Sequence, residues 1–166
     1  MWGSTTPNTA DECNWATAPF NGGANYYDSN YFNDHKSEWL DDNNNLKPEY
    51  DAASHIMGGD WKMPTKAEFQ ELLDNTNKEW TQVNGVNGYK FTSKKEGFQN
   101  NSIFIPAAGL CAHGSVANVR GAGGVWSSSL DTSDHRYAWD MFFYSGDCRM
   151  GSDNRCYGRS VRGVRK

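Results

Sequence analysis

Between Asp131 and Arg159 the chain gathers side chains suited to recognition. They are Asp131, Asp134, His135, Arg136, Asp140, Phe142, Tyr144, Asp147, Cys148, Arg149, Gly151, Ser152, Asp153, Cys156, Tyr157 and Arg159. Tyr and Phe give large rigid contact area at low entropic cost. Arg gives a planar fork of donors, and the small residues leave room for a pocket. The chemistry this set predicts is non-covalent binding.

Reactive chemistry is poorly provided for. His35, His55, His113 and His135 lack metal-ligand spacing, and Cys13, Cys111, Cys148 and Cys156 contain no C-x-x-C pair. Disulfides are possible among the four, but spacing alone does not pair them. No serine stands in G-x-S-x-G. The Asp41-Asp42 pair reads as loop solvation. Gly121-Ala122-Gly123-Gly124 opens a strand rather than a helix, so it lets backbone pass close to the Trp126 region instead of cradling phosphate. No run of converging oxygens suits calcium. The expectation is a protein without catalytic residues, metal or cofactor, and not an enzyme.

The chain's alphabet is split. Residues 1–99 hold 18 Lys, Glu and Gln, whereas Asn100–Arg165 holds none, where an even spread would place about 12. All seven arginines lie from Arg120 onward. Codons ending in a pyrimidine encode Asp, His, Arg, Cys, Ser, Asn, Tyr, Gly and Phe. They cannot encode Lys, Glu, Gln, Met or Trp. Heavy use of such codons accounts for the gap.

A chain of 166 residues fits one domain with a sizeable core, and the sequence is read as a single domain over 1–166. Residues 1–13 read as a lead-in outside the ordered fold. No apolar run approaches the length of a membrane span, and no signal peptide is visible. The net charge of −4 divides into −7 before residue 100 and +3 after it, with no basic stripe, which argues against nucleic-acid binding.

The elements that must hold the candidate side chains follow from local signals. Residues 21–47 are polar and turn-rich and read as a long surface excursion. Pro48 suits a helix start, Ala52, Ala53, Ile56 and Met57 recur at helical spacing, and Gly58-Gly59 ends the run. Thr65-Lys66-Ala67-Glu68 is a capping box opening a second helix that buries Phe69, Leu72 and Leu73. Asn84-Gly85 and Asn87-Gly88 read as turns. Tyr89–Thr92, Ser102–Ile105, Val125–Ser128 and Tyr137–Tyr144 read as strands, with Ser145-Gly146 a turn and Ser160–Arg165 a closing strand. In Tyr137–Tyr144, Trp139, Met141 and Phe143 share a core face, and Asp140, Phe142 and Tyr144 share an exposed one. Two helices beside short antiparallel strands and long loops predict an α+β domain.

The run from Asp51-Ala52-Ala53 through Gly58-Gly59-Asp60-Trp61-Lys62-Met63-Pro64-Thr65 to Leu72-Leu73 resembles the Fibrobacter major paralogous domains of gut Bacteroidetes and their phages. So do Trp80, Asn84–Tyr89, Ser102–Gly109, Trp126–Ser129 and Gly158–Arg165, and Asn14-Trp15-Ala16-Thr17 is similar to the family's entry strand. Gly163 and Lys47 depart from its usual Pro and Asp. The resemblance implies a C-type-lectin-like fold. Some of this group are variable proteins of diversity-generating retroelements, in which template adenines near the gene's end are rewritten. On that reading residues 130–159 are a variable region. The 16 side chains above would contact an unidentified protein or surface ligand at a cell surface or phage particle. Cys148 and Cys156 then fit random substitution. Two alternatives remain open. One is an invariant surface- or fimbria-associated lipoprotein domain of the same family. The other is an enzyme like the formylglycine-generating ones, whose cysteine spacing Cys148 and Cys156 do not match.

Overall fold

Tight turns and short pairings set the architecture. The computed structural model describes Met1–Lys166. After a 3-10 turn at Ala10–Glu12 come α1 (Ser29–Trp39), α2 (Ala52–Met57), β1 (Trp61–Lys62), α3 (Lys66–Asn75), β2 (Thr76–Val83), β3 (Val86–Ser93) and β4 (Ser102–Pro106). Then follow β5 (Leu110–Ala112), β6 (Ser115–Ala117), β7 (Ala122–Leu130), β8 (Tyr137–Tyr144), β9 (Asp147–Asn154) and β10 (Val164–Arg165). The strands form four antiparallel sheets, β1–β10, β2–β3–β4, β5–β6 and β7–β8–β9. Strands take 37% of the chain and helices 18%, so the protein is mostly β. This overturns the expected α+β, C-type-lectin-like fold with two helices. Stretches as polar as Thr76–Val83 and Asp147–Asn154 pair as full eight-residue strands, because antiparallel strands need only one covered face.

The helices begin at polar caps. Thr65 and Glu68 form the expected reciprocal box on α3, with Phe69 and Leu73 buried. In α2, Asp51 rather than Pro48 sets the start. Its carboxylate accepts from the Ser54 amide at 2.9 Å and from the Met63 amide at 2.8 Å. Only Ala52 and Ala53 are buried there, while Ile56 and Met57 are exposed. The supposed excursion over 21–47 contains α1, capped by Asp28 and buried through Phe32 and Trp39. Two apolar anchors seven residues apart suffice to dock an otherwise polar helix.

Asn84 and Gly85, both at positive φ, close the β2–β3 hairpin. Asn87-Gly88 is not a turn. It lies inside β3, where a side chain at Gly88 would collide with the carbonyl of Ile105 on β4. The expected closing strand shrinks to β10, paired with β1.

α3 packs between the β2–β3–β4 and β7–β8–β9 sheets. One core joins Phe69 and Leu73 to Tyr89, Phe91, Ile105, Val125, Met141, Phe143 and Cys148. A second core covers the opposite face of the β7–β8–β9 sheet near its other end, joining Trp2, Phe32, Trp39, Met63, Trp126, Leu130 and Ala138. β7 is therefore buried along its whole length. Residues 1–13 are part of this packing and not a lead-in. Trp2 is fully buried, and its Nε1 donates to the Ser127 carbonyl at 2.8 Å.

Candidate recognition surface

The glycine run Gly121–Gly124 leaves space for specific neighbours. A Cβ on Gly124 would lie 2.5 Å from Cδ of Arg159 and 3.2 Å from Oδ2 of Asp140, and one on Gly123 would enter the ring of Phe143. Arg159 reaches this position because Gly158–Ser160 runs along the free edge of β7. There the Trp126 amide donates to the Ser160 carbonyl at 3.0 Å and the Ser160 amide to the Gly124 carbonyl at 3.1 Å.

From that edge Arg159 crosses the face opposite α3. Its Nε sits 3.0 Å from Oδ2 of Asp140, and both side chains are almost wholly buried. An Nη2 of the same guanidinium bonds the half-exposed Asp153 carboxylate. Burial raises the Asp140 pKa to about 6, against the pull of Arg159 and with the push of Asp153. Nη1 of Arg159 and Nε1 of Trp126 meet no protein acceptor. Gly151 keeps the opposing position clear, since a Cβ there would lie 3.1 Å from Asp140 Oδ1.

Beyond this network, toward the β8–β9 turn, the same face becomes accessible. Phe142 and Tyr144 lie with ring centroids 6.1 Å apart, and the Arg149 guanidinium stands 5.8 Å from the Phe142 ring. Asp147 pairs with Arg149. Tyr144 and Arg149 are exposed, and Phe142 and Asp147 are half-buried. These four side chains form one contiguous aromatic and charged patch on a two-residue hairpin.

The β7–β8 loop carries a second group at the other end of β8, roughly 25 Å away by strand rise. Asp131 accepts from the Ser133 amide at 3.0 Å and its hydroxyl at 2.7 Å. Burial pushes the Asp131 carboxyl up, but those bonds outweigh it and hold the group below its usual range. Arg136 grips Asp134 through Nε at 3.0 Å, and that bond lowers the Asp134 pKa. His135 meets Oδ1 of Asn33 on α1 through Nδ1 at 2.9 Å. Burial, then the charges of Lys36 and Arg155, lower its pKa.

The expected single exposed face is thus corrected. Asp131, Asp140, Cys148 and Cys156 are buried. Asp140 is covered because Arg159 lies across it. Cys148 points to the α3 side, where it packs in that core. Cys156 packs with Met1 and Ala18. Burial raises the Cys148 thiol to about 12 and the Cys156 thiol to about 11, so neither is a ready nucleophile at neutral pH. Tyr157 turns away to meet His113 Nε2 at 2.8 Å. Ser152 is exposed, but its register partner is Trp139, which puts it on the α3 side. Trp139 is half-buried rather than core, with Lys66 Nζ 3.2 Å from its ring centroid.

The residue that sequence reasoning missed is Arg155. It is fully buried, with Nε donating to the His135 carbonyl at 2.7 Å and Nη1 toward the Pro19 carbonyl at 3.4 Å. Trp2, Trp15, Tyr27 and Phe32 surround its guanidinium. No local signal in the sequence distinguishes it from the exposed arginines, because the cage comes from residues far away in the chain.

No group of three or more His, Cys, Asp or Glu side chains is arranged to hold a metal ion. No helix is long and apolar enough to cross a membrane. Comparison with family models, curated proteins and solved structures finds no match for the chain.

Proposed function

We propose that the protein is a non-catalytic ligand-recognition module that contacts its ligand through Phe142, Tyr144, Asp147 and Arg149. We further propose that these positions are diversified by retroelement-driven rewriting of template adenines. The observation that carries the reading is how coding and geometry divide along β8 and β9. Trp139, Met141 and Met150, which pyrimidine-ending codons cannot encode, fall on the face toward α3, as the registers Trp139↔Ser152 and Met141↔Met150 place them. Phe142, Tyr144, Asp147 and Arg149, which such codons can encode, fall on the opposite face. A rigid support beneath the patch lowers the ordering cost of binding, and here the buried Arg159 network supplies that support. Two adjacent rings with a forked cation suit a protein or other surface-borne ligand better than a small ion.

The invariant reading also draws on one observation. Asp140, Cys148 and Cys156 lie within 130–159 yet are buried, and random replacement there would damage the fold. The deciding experiment is to sequence the DNA flanking the gene. A reverse transcriptase gene beside a near-copy of the segment for residues 130–165, differing only at adenines, supports diversification. The adenines should cover codons 142, 144, 147 and 149 and spare 139, 141 and 150. Absence of any such copy leaves an invariant surface module.

A further inference from the structure

Four cysteines are free in this structure, and two of them are neighbours. The 3-10 turn at Ala10–Glu12 ends at Cys13, whose thiol donates to the Thr9 carbonyl at 3.5 Å. Cys111 on β5 donates to the next carbonyl of the same turn, that of Ala10, also at 3.5 Å. Both side chains crowd one glycine. A Cβ on Gly158 would lie 2.8 Å from Cβ of Cys111 and 2.9 Å from Sγ of Cys13. Gly158 is itself fixed to Cys111 by two backbone bonds, the Cys111 amide to the Gly158 carbonyl at 2.9 Å and the Gly158 amide to the Cys111 carbonyl at 2.8 Å. Both cysteine side chains therefore border a position that only glycine leaves open.

Access is provided. Cys13 and Cys111 both line a cleft of about 330 Å³ whose walls include Met1, Ile56, Leu110 and Val161. Cys111 is partly exposed, and Cys13 is buried beneath it. Burial first, and the Cys111 thiol next, raise the Cys13 pKa to about 12, so Cys13 is no free nucleophile at neutral pH and reacts only in alkaline medium with a sulfur held against it. Cys148 and Cys156 do not line this cleft.

We propose that Cys13 and Cys111 form a redox pair that closes to an intramolecular disulfide on exchange with a low-molecular-weight disulfide. The Cys111 thiolate attacks one sulfur of the small disulfide. A mixed disulfide forms on Cys111 and one small thiolate leaves. The Cys13 thiolate then attacks Sγ of Cys111, the Cys13–Cys111 bond forms, and the second small thiolate leaves. Each cysteine gives up one proton, each small thiolate takes one up, and two electrons pass to the oxidant. Cys111 acts first because it is the exposed member, and Cys13 resolves because it is held behind it. The product staples the N-terminal segment that carries Trp2 to β5, far along the chain.

The test incubates the folded chain with oxidised glutathione in mildly alkaline buffer. The chain is then unfolded in denaturant, remaining thiols are alkylated and the digested peptides are mapped by mass. The expected result is a cross-linked pair of peptides holding Cys13 and Cys111, alkylated Cys148 and Cys156, and a higher Tm than the reduced chain. Cys13→Ser should stop at glutathione bound to Cys111, and Cys111→Ser should give no cross-link. Both variants should keep the Tm of the reduced parent within a few degrees, which separates loss of exchange from loss of fold. A cross-link to Cys156, glutathione persisting on Cys111 of the unaltered chain, or no reaction would each overturn the proposal.

Discussion

Arg155 holds its guanidinium 4.2 Å from the ring centroid of Phe32 and makes no ion pair. Burial lowers its pKa to about 10, so it remains a cation at neutral pH, compensated by aromatic faces and two carbonyls. Its Nε ties down the His135 carbonyl and so the β7–β8 loop. Replacing Arg155 with Ala should cost at least about 2 kcal/mol, since the two half-buried carbonyls lose their donor and the cage loses its filling. Arg149→Ala, on the exposed patch, should shift stability by no more than about 0.5 kcal/mol. Urea unfolding of the two variants checks the contrast, and equal effects would refute it.

Asp140 should give the fold a distinctive pH response. Its pKa of about 6 stands above the roughly 3.9 of a free aspartate. Between those values the folded chain holds a proton here that the unfolded chain does not. The stability contributed by the protonated form is fully present below about pH 4 and lost as pH rises through about 6, by up to about 3 kcal/mol. Asp131 and Asp134, whose pKa values are lowered, act in the opposite sense, so the measurement is a difference. Unfolding free energies of the parent and Asp140→Asn, compared from about pH 4 to about pH 7, should diverge through that window and run parallel above it. Parallel curves throughout would mean that Arg159 keeps Asp140 ionised.

Gly124→Ala should displace Arg159, because the new Cβ would fall 2.5 Å from its Cδ. The expected loss is about 1–3 kcal/mol. Because Arg159 also lies 5.7 Å from the Trp126 ring, the tryptophan emission should change with it. A spectrum identical to the parent would show that the guanidinium stays in place.

Trp2→Ala should cost about 3–5 kcal/mol, the range for emptying a large aromatic site. Val119, which is 58% exposed, serves as the control, and its change to Ala should fall within about 0.5 kcal/mol. Thermal unfolding of both measures how firmly the first residues belong to the core.

What could be read from the sequence depended on distance along the chain. The Thr65–Glu68 box, the Asn84-Gly85 turn and the strand at Tyr137–Tyr144 need only near neighbours, and each stands where it was expected, although Asp140 is buried and Trp139 only half-buried on that strand. α1 was missed because only Phe32 and Trp39 anchor it, too few to show a stripe. β9 was missed because its α3-facing positions, Cys148, Met150, Ser152 and Asn154, hold only two apolar side chains, too few to show an apolar face. The site was half legible for the same reason. Alternation placed Phe142 and Tyr144 correctly away from the α3 core. It could not show that Arg159, arriving from beyond β9, covers Asp140 on that same face, or that Trp2 closes over Ser127.

β7 draws its remaining backbone partners from scattered places. The Leu46 amide donates to Ser128, the Leu130 amide to Asn44, the Ser128 amide to Pro64, the Gly109 amide to Ala122 and the Trp126 amide to Ser160. None of these segments can finish the strand alone, and the last follows β9 in the chain. A chain emerging from the ribosome therefore cannot complete β7 until Ser160 has been made. Such non-local closure slows folding relative to proteins whose strands pair only with near neighbours. β7, buried along its whole length, is thus finished only after the two strands that follow it have been made.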